Sequence, residues 1–355
     1  MSNSIALFKN YVSLLDEVYK QASLTSVLDG APELAREGAN VGELVIPKIS
    51  MDGLARYSRN GGYVSGDVTL THETVACNFD RGRMFDVDAM DNAETAGVAF
   101  GRLSGEFIRT KVVPELDAFR MAEYASASGI SEADAPASLS AGTNVVAALR
   151  DGIDKMDEDE VPYEERYLFI TPTLMGLVED MDTTKSKEVL KRFAKVQRMP
   201  QTRFYTAITQ KDGTTAGQEA GGYARKENHQ DFTATTSQVN FTVTAKPAAI
   251  QKVMVDGVAV TSGFTYTPGT GVLAFDSAPG NGKAVKVIYD TGYPINFLIV
   301  HKPAVIQFQK HIAPKVITPE MNQSGDGWKF GYRNVGIADV YENKVAGIYL
   351  HKNVI

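Results

Sequence analysis

The stretch Val112-Val113-Pro114-Glu115-Leu116-Asp117-Ala118 lies in the middle of the longest helical pattern of this 355-residue sequence. On both sides of it, apolar residues recur at helical spacings, with small residues between them. These apolar residues are Val98, Leu103, Phe107, Ile108, Leu116, Phe119, Met121 and Tyr124. Pro114 lacks the backbone N–H that the helical hydrogen-bond ladder needs. We therefore predict one long helix within 92–130 that kinks or restarts at Pro114.

The residues ahead of this helix follow an extended pattern. Two arms, 43–49 and 67–71, are rich in β-branched residues and alternate partly between apolar and polar positions. The parity of the apolar residues changes between Leu70 and Val75, which predicts a bulge or bend near 72–74. The sequence thus predicts a long two-stranded loop over 43–91, preceded by an N-terminal arm.

The tip of this loop carries two arginines and two tyrosines, namely Arg56, Tyr57, Arg59 and Tyr63. The arms hold too few core residues to pack as an ordinary hairpin on their own domain. An arginine can form two parallel hydrogen bonds with one carboxylate. We therefore expect these four residues to contact another subunit.

Two clusters of opposite charge follow, near a predicted helix over 143–156 and a predicted strand over 166–170. The acidic cluster includes Asp157, Glu158, Asp159 and Glu160, and the basic cluster includes Lys185, Lys187, Lys191 and Arg192. Each cluster can be a solvated helix face. Alternatively, the two clusters meet on neighbouring copies of the chain, where opposite charges set the register of the contact. Residues 209–230 are rich in Gly and Thr and are predicted to form a mobile loop.

The clearest change of composition begins at 232 and ends at 292. Short β-like runs alternate there with turn residues such as Asp256-Gly257 and Pro279-Gly280-Asn281-Gly282. Turns at such short intervals predict antiparallel hairpins. We predict a small all-β domain, followed by further strands of the main body over 295–300 and 335–350.

Composition excludes several functional classes. The 36 basic and 43 acidic residues give a net charge of −7, which argues against a nucleic-acid-binding surface over the whole protein. A single cysteine, Cys77, excludes an intramolecular disulfide and zinc sites built from several cysteines. The histidines are scattered, and no apolar run approaches the roughly 20 residues of a membrane span. We find no catalytic constellation and expect no enzymatic activity, cofactor, metal or membrane insertion.

The order of elements resembles that of the major capsid proteins of tailed phages with the HK97 fold. The stretch 112–118, the run Ile295 to His301 and the run Val340 to Tyr349 are also similar to phrases of this family. The resemblance implies an α+β capsid fold with an inserted small all-β domain. It assigns the N-terminal arm to 1–42, the extended loop to 43–91, the spine helix of the peripheral (P) domain to 92–130, the first part of the axial (A) domain to 131–231, the inserted β domain to 232–292, the return of the A domain to 293–320 and C-terminal P-domain strands to 321–355.

The same resemblance implies a structural function. Pentamers and hexamers of the chain would form an icosahedral phage head around double-stranded DNA, assembled in the cytoplasm of a bacterial host and located in the virion. The implied partners are a separate scaffolding protein, since only about 42 residues precede the loop, a portal protein at one vertex, potential decoration proteins, and DNA held by non-specific contacts. The alternative is a β-rich tail protein or a receptor- or carbohydrate-binding protein of the virion.

The resemblance also bears on covalent cross-linking. In the family's chain-mail members, a lysine of the extended loop attacks an asparagine of a neighbouring subunit. This sequence has no lysine between Lys48 and Lys111. Arginines stay protonated and are poor nucleophiles. We therefore expect a shell without such cross-links.

Overall fold

The computed structural model describes residues 23–30, 36–37, 43–94, 106–181 and 183–355. The chain divides into two compact units. The first contains residues up to Val112 together with Val305–Tyr341, and the second contains Val113–Ala304 together with Glu342–Ile355. Most of the predicted N-terminal arm, and residues 95–105 of the predicted long helix, lie outside the described residues.

The first unit contains the predicted extended loop. Strands β2 (Glu43–Met51) and β3 (Val68–Ala76) pair antiparallel, and β1 (Arg36–Glu37) pairs with β2. The β2–β3 register runs without interruption from Glu43↔Ala76 to Met51↔Val68, so the bulge predicted near 72–74 is wrong. The change of parity has another cause, because Leu70 is 57% exposed whereas Val75 is buried against the core. Apolar residues on the two parts of β3 do not share one core.

A three-stranded ribbon forms the body of the first unit. Its strands are β18 (Val305–Ile317), β19 (Gly327–Val340) and β4 (Phe79–Asp88), in the order β18-β19-β4. The ring of Phe107 packs edge-on against Phe85, at 4.8 Å, and Tyr332, at 6.2 Å, on one face of the ribbon. A short 3-10 turn, Thr25–Leu28, is fixed to β18 because the Gln307 amide donates to the Thr25 carbonyl oxygen at 2.7 Å. Helix α1 (Ala89–Glu94) follows β4 directly.

The helix predicted around Pro114 is present but not uniform. A π-helical turn, Ile108–Val112, comes immediately before α2 (Val113–Ser126). Proline removes a hydrogen bond and crowds the preceding turn, and a widened turn accommodates both effects. The interruption predicted at Pro114 therefore takes the form of a π-helical turn. The helix ends at Ser126, and Gly129 has a positive φ of 84°.

The second unit is built on a five-stranded sheet of order β5-β20-β17-β6-β7. The strands are β5 (Ser131–Glu132), β6 (Arg166–Ile170), β7 (Lys195–Arg198), β17 (Ile295–His301) and β20 (Ile348–Lys352). Every residue of the central strand β17 is buried. Helices α3 (Gly142–Glu158), α4 (Pro172–Met181) and α5 (Thr184–Leu190) contribute to one apolar core with this sheet. Gly152 allows α3 to lie close to the sheet, because a Cβ there would be 2.7 Å from the Tyr349 ring.

The residues after β7 correct one prediction. The 3-10 turn Gln201–Arg203 leads into a hairpin of β8 (Ile208–Gln210) and β9 (Tyr223–Arg225), within the segment predicted as a mobile loop. This segment has few apolar residues, and its strands are short. The hairpin was missed because its order comes from polar and main-chain contacts, such as the Tyr223 hydroxyl donating to the Thr202 carbonyl oxygen at 3.1 Å.

The β-rich segment, residues 229–288, which we call the β segment, forms two antiparallel sheets, β10-β16-β12-β13 and β11-β15-β14. Its strands are β10 (His229–Thr233), β11 (Asn240–Thr242), β12 (Lys252–Val255), β13 (Val258–Val260), β14 (Phe264–Thr267), β15 (Val272–Phe275) and β16 (Ala284–Ile288). Both sheets contribute buried residues, including Phe241, Val253, Leu273 and Val285, to one core cluster. The boundary predicted at 232 falls inside β10, which pairs with β16 from His229 onward.

The C-terminal strands are shared between the two units. Segment 293–320, which the resemblance assigns to the return of the A domain, contributes β17 to the second unit and β18 to the first. The 3-10 turn Lys302–Ala304 lies between these two strands. Segment 321–355 likewise contributes β19 to the ribbon and β20 to the five-stranded sheet. The 3-10 segment Glu342–Gly347, which is broken at Lys344, separates these two strands. Among the described residues, no helix has the length and apolar character needed to cross a membrane.

Candidate interaction surfaces

The tip of the extended loop, residues 53–66, is closed off from the arms by a pair of aspartates. The Asp67 amide donates to the Asp52 carboxylate at 2.8 Å, and the Asp52 amide donates to the Asp67 carbonyl oxygen at 3.2 Å. Within the tip, Ser58 and Gly62 exchange two backbone hydrogen bonds, at 3.2 and 2.8 Å. The tip is therefore a formed turn and not an extension of the β2–β3 ladder.

The tip exposes large apolar and aromatic groups to solvent. Leu54 is fully exposed, Tyr63 is 90% exposed and Tyr57 is 57% exposed. The two tyrosine rings lie 4.9 Å apart with an interplanar angle of 57°. Arg56 and Arg59 are also exposed. All four predicted tip residues are thus exposed, and the two tyrosines are in contact; we call the exposed residues of the tip the tip surface.

Exposed apolar residues continue from the tip onto the arms. Met51 is 69% exposed and Val68 is 71% exposed, and these two residues are directly paired at the end of the β2–β3 ladder. Isolated exposed apolar residues are ordinary, whereas a contiguous apolar patch indicates an interaction site. The exposed apolar residues of the loop therefore extend from its tip to the paired ends of its arms.

The two charged clusters lie side by side in one chain. Asp157, at the C-terminal end of α3, accepts a hydrogen bond from Arg166 at 2.7 Å and lies 3.7 Å from a guanidinium nitrogen of Arg192. Asp159 accepts from Lys155 and from the Ser131 hydroxyl, each at 3.1 Å. The remaining members, Glu158, Glu160, Lys185, Lys187 and Lys191, are exposed. Asp157 and Arg192 thus contact each other within the chain, and the contact between copies stays a prediction.

Sequence reasoning missed a group of charged residues around α2. Asp117 and Arg203 form an ion pair at 3.0 Å, with the Asp117 side chain fully buried and that of Arg203 only 5% exposed. Glu115 and Arg120 on the same helix are buried as well. Burial, together with the carboxylates of Asp117 and Glu115, raises the pKa of the Tyr223 phenol to about 12, and Arg203 opposes this shift.

The sequence pattern of α2 indicates that the helix is covered, but it does not single out the buried charged residues. Glu115 and Asp117 lie on opposite sides of the helix, so α2 has no single polar face. Apolar residues, among them Leu116, Phe119 and Met121, also lie on several sides of α2, and a helix that is apolar on most sides is expected to be buried. The structure agrees, because nearly every residue of α2 is buried.

Two buried histidines lie in the paired strands β17 and β20. Burial lowers the pKa of His301, and Arg166 and Lys344 lower it further. Burial also lowers the pKa of His351, whose ring stacks on Phe297 at 5.0 Å. The described residues include no group of three or more His, Cys, Asp or Glu side chains that could hold a metal ion.

Comparison with known proteins identifies the fold. No family model and no curated protein matches the sequence. A solved structure from Mycobacterium phage Che8 is 12% identical, with a TM-score of 0.51, over 99% of this chain and 98% of that chain. The capsid structure of cyanophage P-SCSP1u is 10% identical, with a TM-score of 0.53, over 98% of this chain and 92% of that one. The mature capsid of bacteriophage PhiM1 gives 8% identity, a TM-score of 0.52, and coverage of 99% and 92%.

These matches extend over almost the whole length of both chains. The protein therefore has the fold of bacteriophage capsid proteins, and the resemblance stated from the sequence is confirmed at the level of the fold.

Proposed function

We propose that this chain is the major capsid protein of a tailed phage and has the HK97 variant of the capsid fold. The observation that carries the proposal is the match of nearly the entire chain to the capsid structures of cyanophage P-SCSP1u and phage PhiM1. Copies of the chain would assemble as pentamers and hexamers into an icosahedral head that encloses double-stranded DNA. Its role is structural and not catalytic.

The extended loop supplies the physical reason for assembly. A single chain leaves Met51, Leu54, Tyr63 and Val68 largely in water. Burying apolar surface is favourable by roughly 25 cal/mol per Å². Covering the loop with another copy would therefore stabilise the shell, and Arg56 and Arg59 would add hydrogen bonds to carboxylates of that copy.

The charged clusters supply a second contact in this proposal. Acidic and basic groups lie next to each other on one chain, as the Arg192–Asp157 contact shows. In a ring of identical subunits, such a surface can present its basic part to the acidic part of the next subunit. The exposed residues Glu158, Glu160, Lys185 and Lys191 are the candidates for this contact.

The β segment is proposed as a domain inserted into the main body. Its two chain ends lie together, because the Tyr289 amide donates to the Asn228 carbonyl oxygen at 2.9 Å and the Asn228 amide donates to the Thr291 hydroxyl at 3.1 Å. The segment also has its own core. Adjacent ends and a separate core are the features that let a domain be inserted without disturbing its host.

The remaining partners belong to the same proposal. The shell would form in the bacterial cytoplasm with a separate scaffolding protein, receive a portal protein at one vertex and hold DNA through non-specific contacts. Decoration proteins are a further potential partner. The mature location would be the virion.

Assembly tests the function directly. We expect the chain, expressed with a scaffolding protein from the same genome, to form closed shells that electron microscopy resolves into pentamers and hexamers. Replacing the tip, residues 53–66, by a short Gly-Ser turn between Asp52 and Asp67 should leave a folded subunit that forms no stable shells. A chain that never forms shells but binds glycans or cell surfaces would instead support a tail or receptor-binding protein.

A further inference from the structure

The sequence contains two Asn-Gly dipeptides, Asn60-Gly61 at the tip of the extended loop and Asn281-Gly282 in the turn before β16. Both asparagines are exposed. Glycine has no side chain and wide backbone freedom, so its nitrogen can approach the side-chain carbonyl carbon of a preceding asparagine. The two sites therefore have the same local chemistry and differ in how each glycine N–H is held.

At Gly282 the N–H is part of an extended strand pairing. It donates to the Ala234 carbonyl oxygen at 2.8 Å, and the Ala234 amide donates to the Lys283 carbonyl oxygen at 2.8 Å. These bonds continue the β10–β16 ladder beyond Thr233↔Ala284. For the Gly282 nitrogen to move, this end of the ladder must open.

Within the part of the chain that the structure describes, the Gly61 N–H is held only by a side chain. It donates to the Ser58 hydroxyl oxygen at 3.2 Å, in an exposed part of the tip. The flanking bridge between Ser58 and Gly62 is not extended by further ladder pairs. A serine hydroxyl can rotate away and bond to water instead, so releasing the Gly61 nitrogen costs less than releasing the Gly282 nitrogen.

We propose that Asn60 is a site of spontaneous deamidation and that it reacts faster than Asn281. The Gly61 nitrogen attacks the Asn60 side-chain carbonyl carbon, and a new N–C bond closes a five-membered succinimide. The bond from that carbon to Nδ2 breaks, and the amide nitrogen leaves as ammonia with the proton from the Gly61 nitrogen. Water then opens the ring to aspartate or isoaspartate, so no oxidant or further reactant is needed.

The product changes the charge of the tip surface. A carboxylate replaces a neutral amide close in sequence to Arg56 and Arg59, and isoaspartate also lengthens the main chain. If the tip contacts another copy, as the proposed function holds, aged free subunits assemble less well. A tip held by its neighbour cannot open its turn, so the reaction slows once the shell has formed.

Mass spectrometry of tryptic peptides tests the site on the full chain. Cleavage after Arg59 and Arg81 places Asn60 in peptide 60–81, where fragment ions distinguish it from Asn78, and cleavage after Lys252 and Lys283 isolates Asn281 in peptide 253–283. After incubation of unassembled protein at mildly alkaline pH, we expect the deamidated fraction of peptide 60–81 to rise several-fold faster than that of 253–283. Equal rates, or a faster reaction at Asn281, would overturn the proposal.

Two variants test whether the reaction depends on attack by the Gly61 nitrogen and not only on the exposure of Asn60. Ser58→Ala removes the acceptor of the Gly61 N–H and should accelerate the reaction at Asn60. Gly61→Ala should suppress it, and this variant fits the turn because the nearest atoms to an added Cβ are those of Ser58 at 3.6 Å. Unchanged rates in both variants would contradict the proposed attack.

Measuring the reaction in assembled shells as well as in free subunits tests the site and the proposed function separately. A reaction at Asn60 that is fast in free subunits and slow in shells supports both. The same fast rate in shells and in free subunits leaves the site in place and contradicts the tip contact. A slow rate in free subunits contradicts the site whatever the shells show.

Discussion

The buried ion pair between Asp117 and Arg203 makes the stability of the second unit sensitive to the loss of either residue. Removing one member of a buried pair leaves the other charge in a poor environment, which costs roughly 3–5 kcal/mol. We expect Arg203→Met to lower the free energy of unfolding of the subunit by about that amount, measured by urea denaturation.

A matched control is available on the surface. Arg198 pairs with Glu179, and both side chains are about half exposed. Arg198→Met should change the free energy of unfolding by no more than about 1 kcal/mol. The double variant Asp117→Leu/Arg203→Met should be less destabilised than Arg203→Met, because it leaves neither the Asp117 carboxylate nor the Arg203 guanidinium buried without the other. Equal effects of Arg203→Met and Arg198→Met would contradict the prediction.

The two buried histidines predict a loss of stability in acid. Burial lowers the pKa of His301 and of His351 in the folded state, whereas the unfolded chain has a pKa of about 6.5. Below about pH 6.5 the unfolded chain binds protons that the folded chain does not, so acid favours unfolding. Their contribution to stability is complete above that pH and is lost as the pH falls below it.

We expect His301→Gln/His351→Gln to flatten this dependence. The measurement is the free energy of unfolding of the subunit at about pH 7.5 and about pH 5.5, and the variant should lose less stability between the two than the wild type. An identical loss in the wild type and the double variant would show that other groups dominate.

Replacing the arginines of the tip is expected to weaken the assembled shell without changing the stability of the isolated subunit. Arg56→Ala/Arg59→Ala should reduce the temperature at which shells disassemble, because carboxylates of another copy lose their partners. The isolated subunit should unfold as before, since exposed substitutions usually change stability by less than about 0.5 kcal/mol. Arg56→Lys/Arg59→Lys keeps the charge but not the planar guanidinium that can bond both oxygens of one carboxylate, so its disassembly temperature should be intermediate. Shells of the alanine variant as heat-stable as wild type would refute the contact.

At the scale of elements, the β segment predicts tolerance to excision. The adjacent ends indicate that residues 229–290 can be removed and Asn228 joined to Thr291 through a short Gly-Ser linker. Gly292 must be kept, because a Cβ there would lie 2.2 Å from the Ala207 carbonyl oxygen, which shows how tightly this position packs. We expect a soluble main body with a cooperative thermal transition, measured by calorimetry.

The control for excision is a deletion of similar length elsewhere. Removing 131–190 takes away β5, β6 and the helices α3, α4 and α5, and should yield insoluble protein because the central strand β17 loses its neighbour β6. Insoluble protein after excision of 229–290 as well would show that the β segment does not fold separately from its host.

Local sequence patterns were sufficient for elements whose burial is periodic. Helix α3 was predicted from Val145, Leu149, Ile153 and Met156, and all four are buried on one core. The strands of the β segment were predicted because turn residues delimit them. Pairings between distant segments could not be predicted, since nothing in β19 indicates that it pairs with β4 as well as with β18, its neighbour in sequence.

The candidate surfaces also differ in how far the sequence predicts them. The exposure of the tip was predictable, because its arginines and tyrosines lie between two arms that are poor in core residues. The burial of Asp117 was not, because it depends on which distant element, here the turn containing Arg203, comes to cover the helix. The clusters at Asp157 and Arg192 were found from charge, but their meeting within one chain follows from the packing of α5 against α3.

At the scale of the whole molecule, the absence of loop lysines predicts a shell without covalent cross-links. Lys48 lies in β2, on the arm side of the Asp52–Asp67 closure, and the next lysine in the chain is Lys111. The cross-linking reaction needs an amine nucleophile on the loop. Boiling purified mature shells in SDS should therefore give a single band near 38.5 kDa on a denaturing gel.

The control is unassembled subunit treated in the same way. Bands at multiples of the subunit mass in the shell sample alone would contradict the prediction and would direct attention to lysines outside the loop.

The position of β20 in its sheet has a consequence for synthesis on the ribosome. This strand follows every other strand in the chain, yet it lies between β5 and the central strand β17. Until Ile348–Lys352 has left the exit tunnel, one edge of β17 is unpaired and β5 has no place in the sheet. Pairing between segments far apart in sequence is slow to form. A nascent chain therefore cannot complete its second unit early, and polysomes are expected to carry subunits that are not yet competent to join a growing particle.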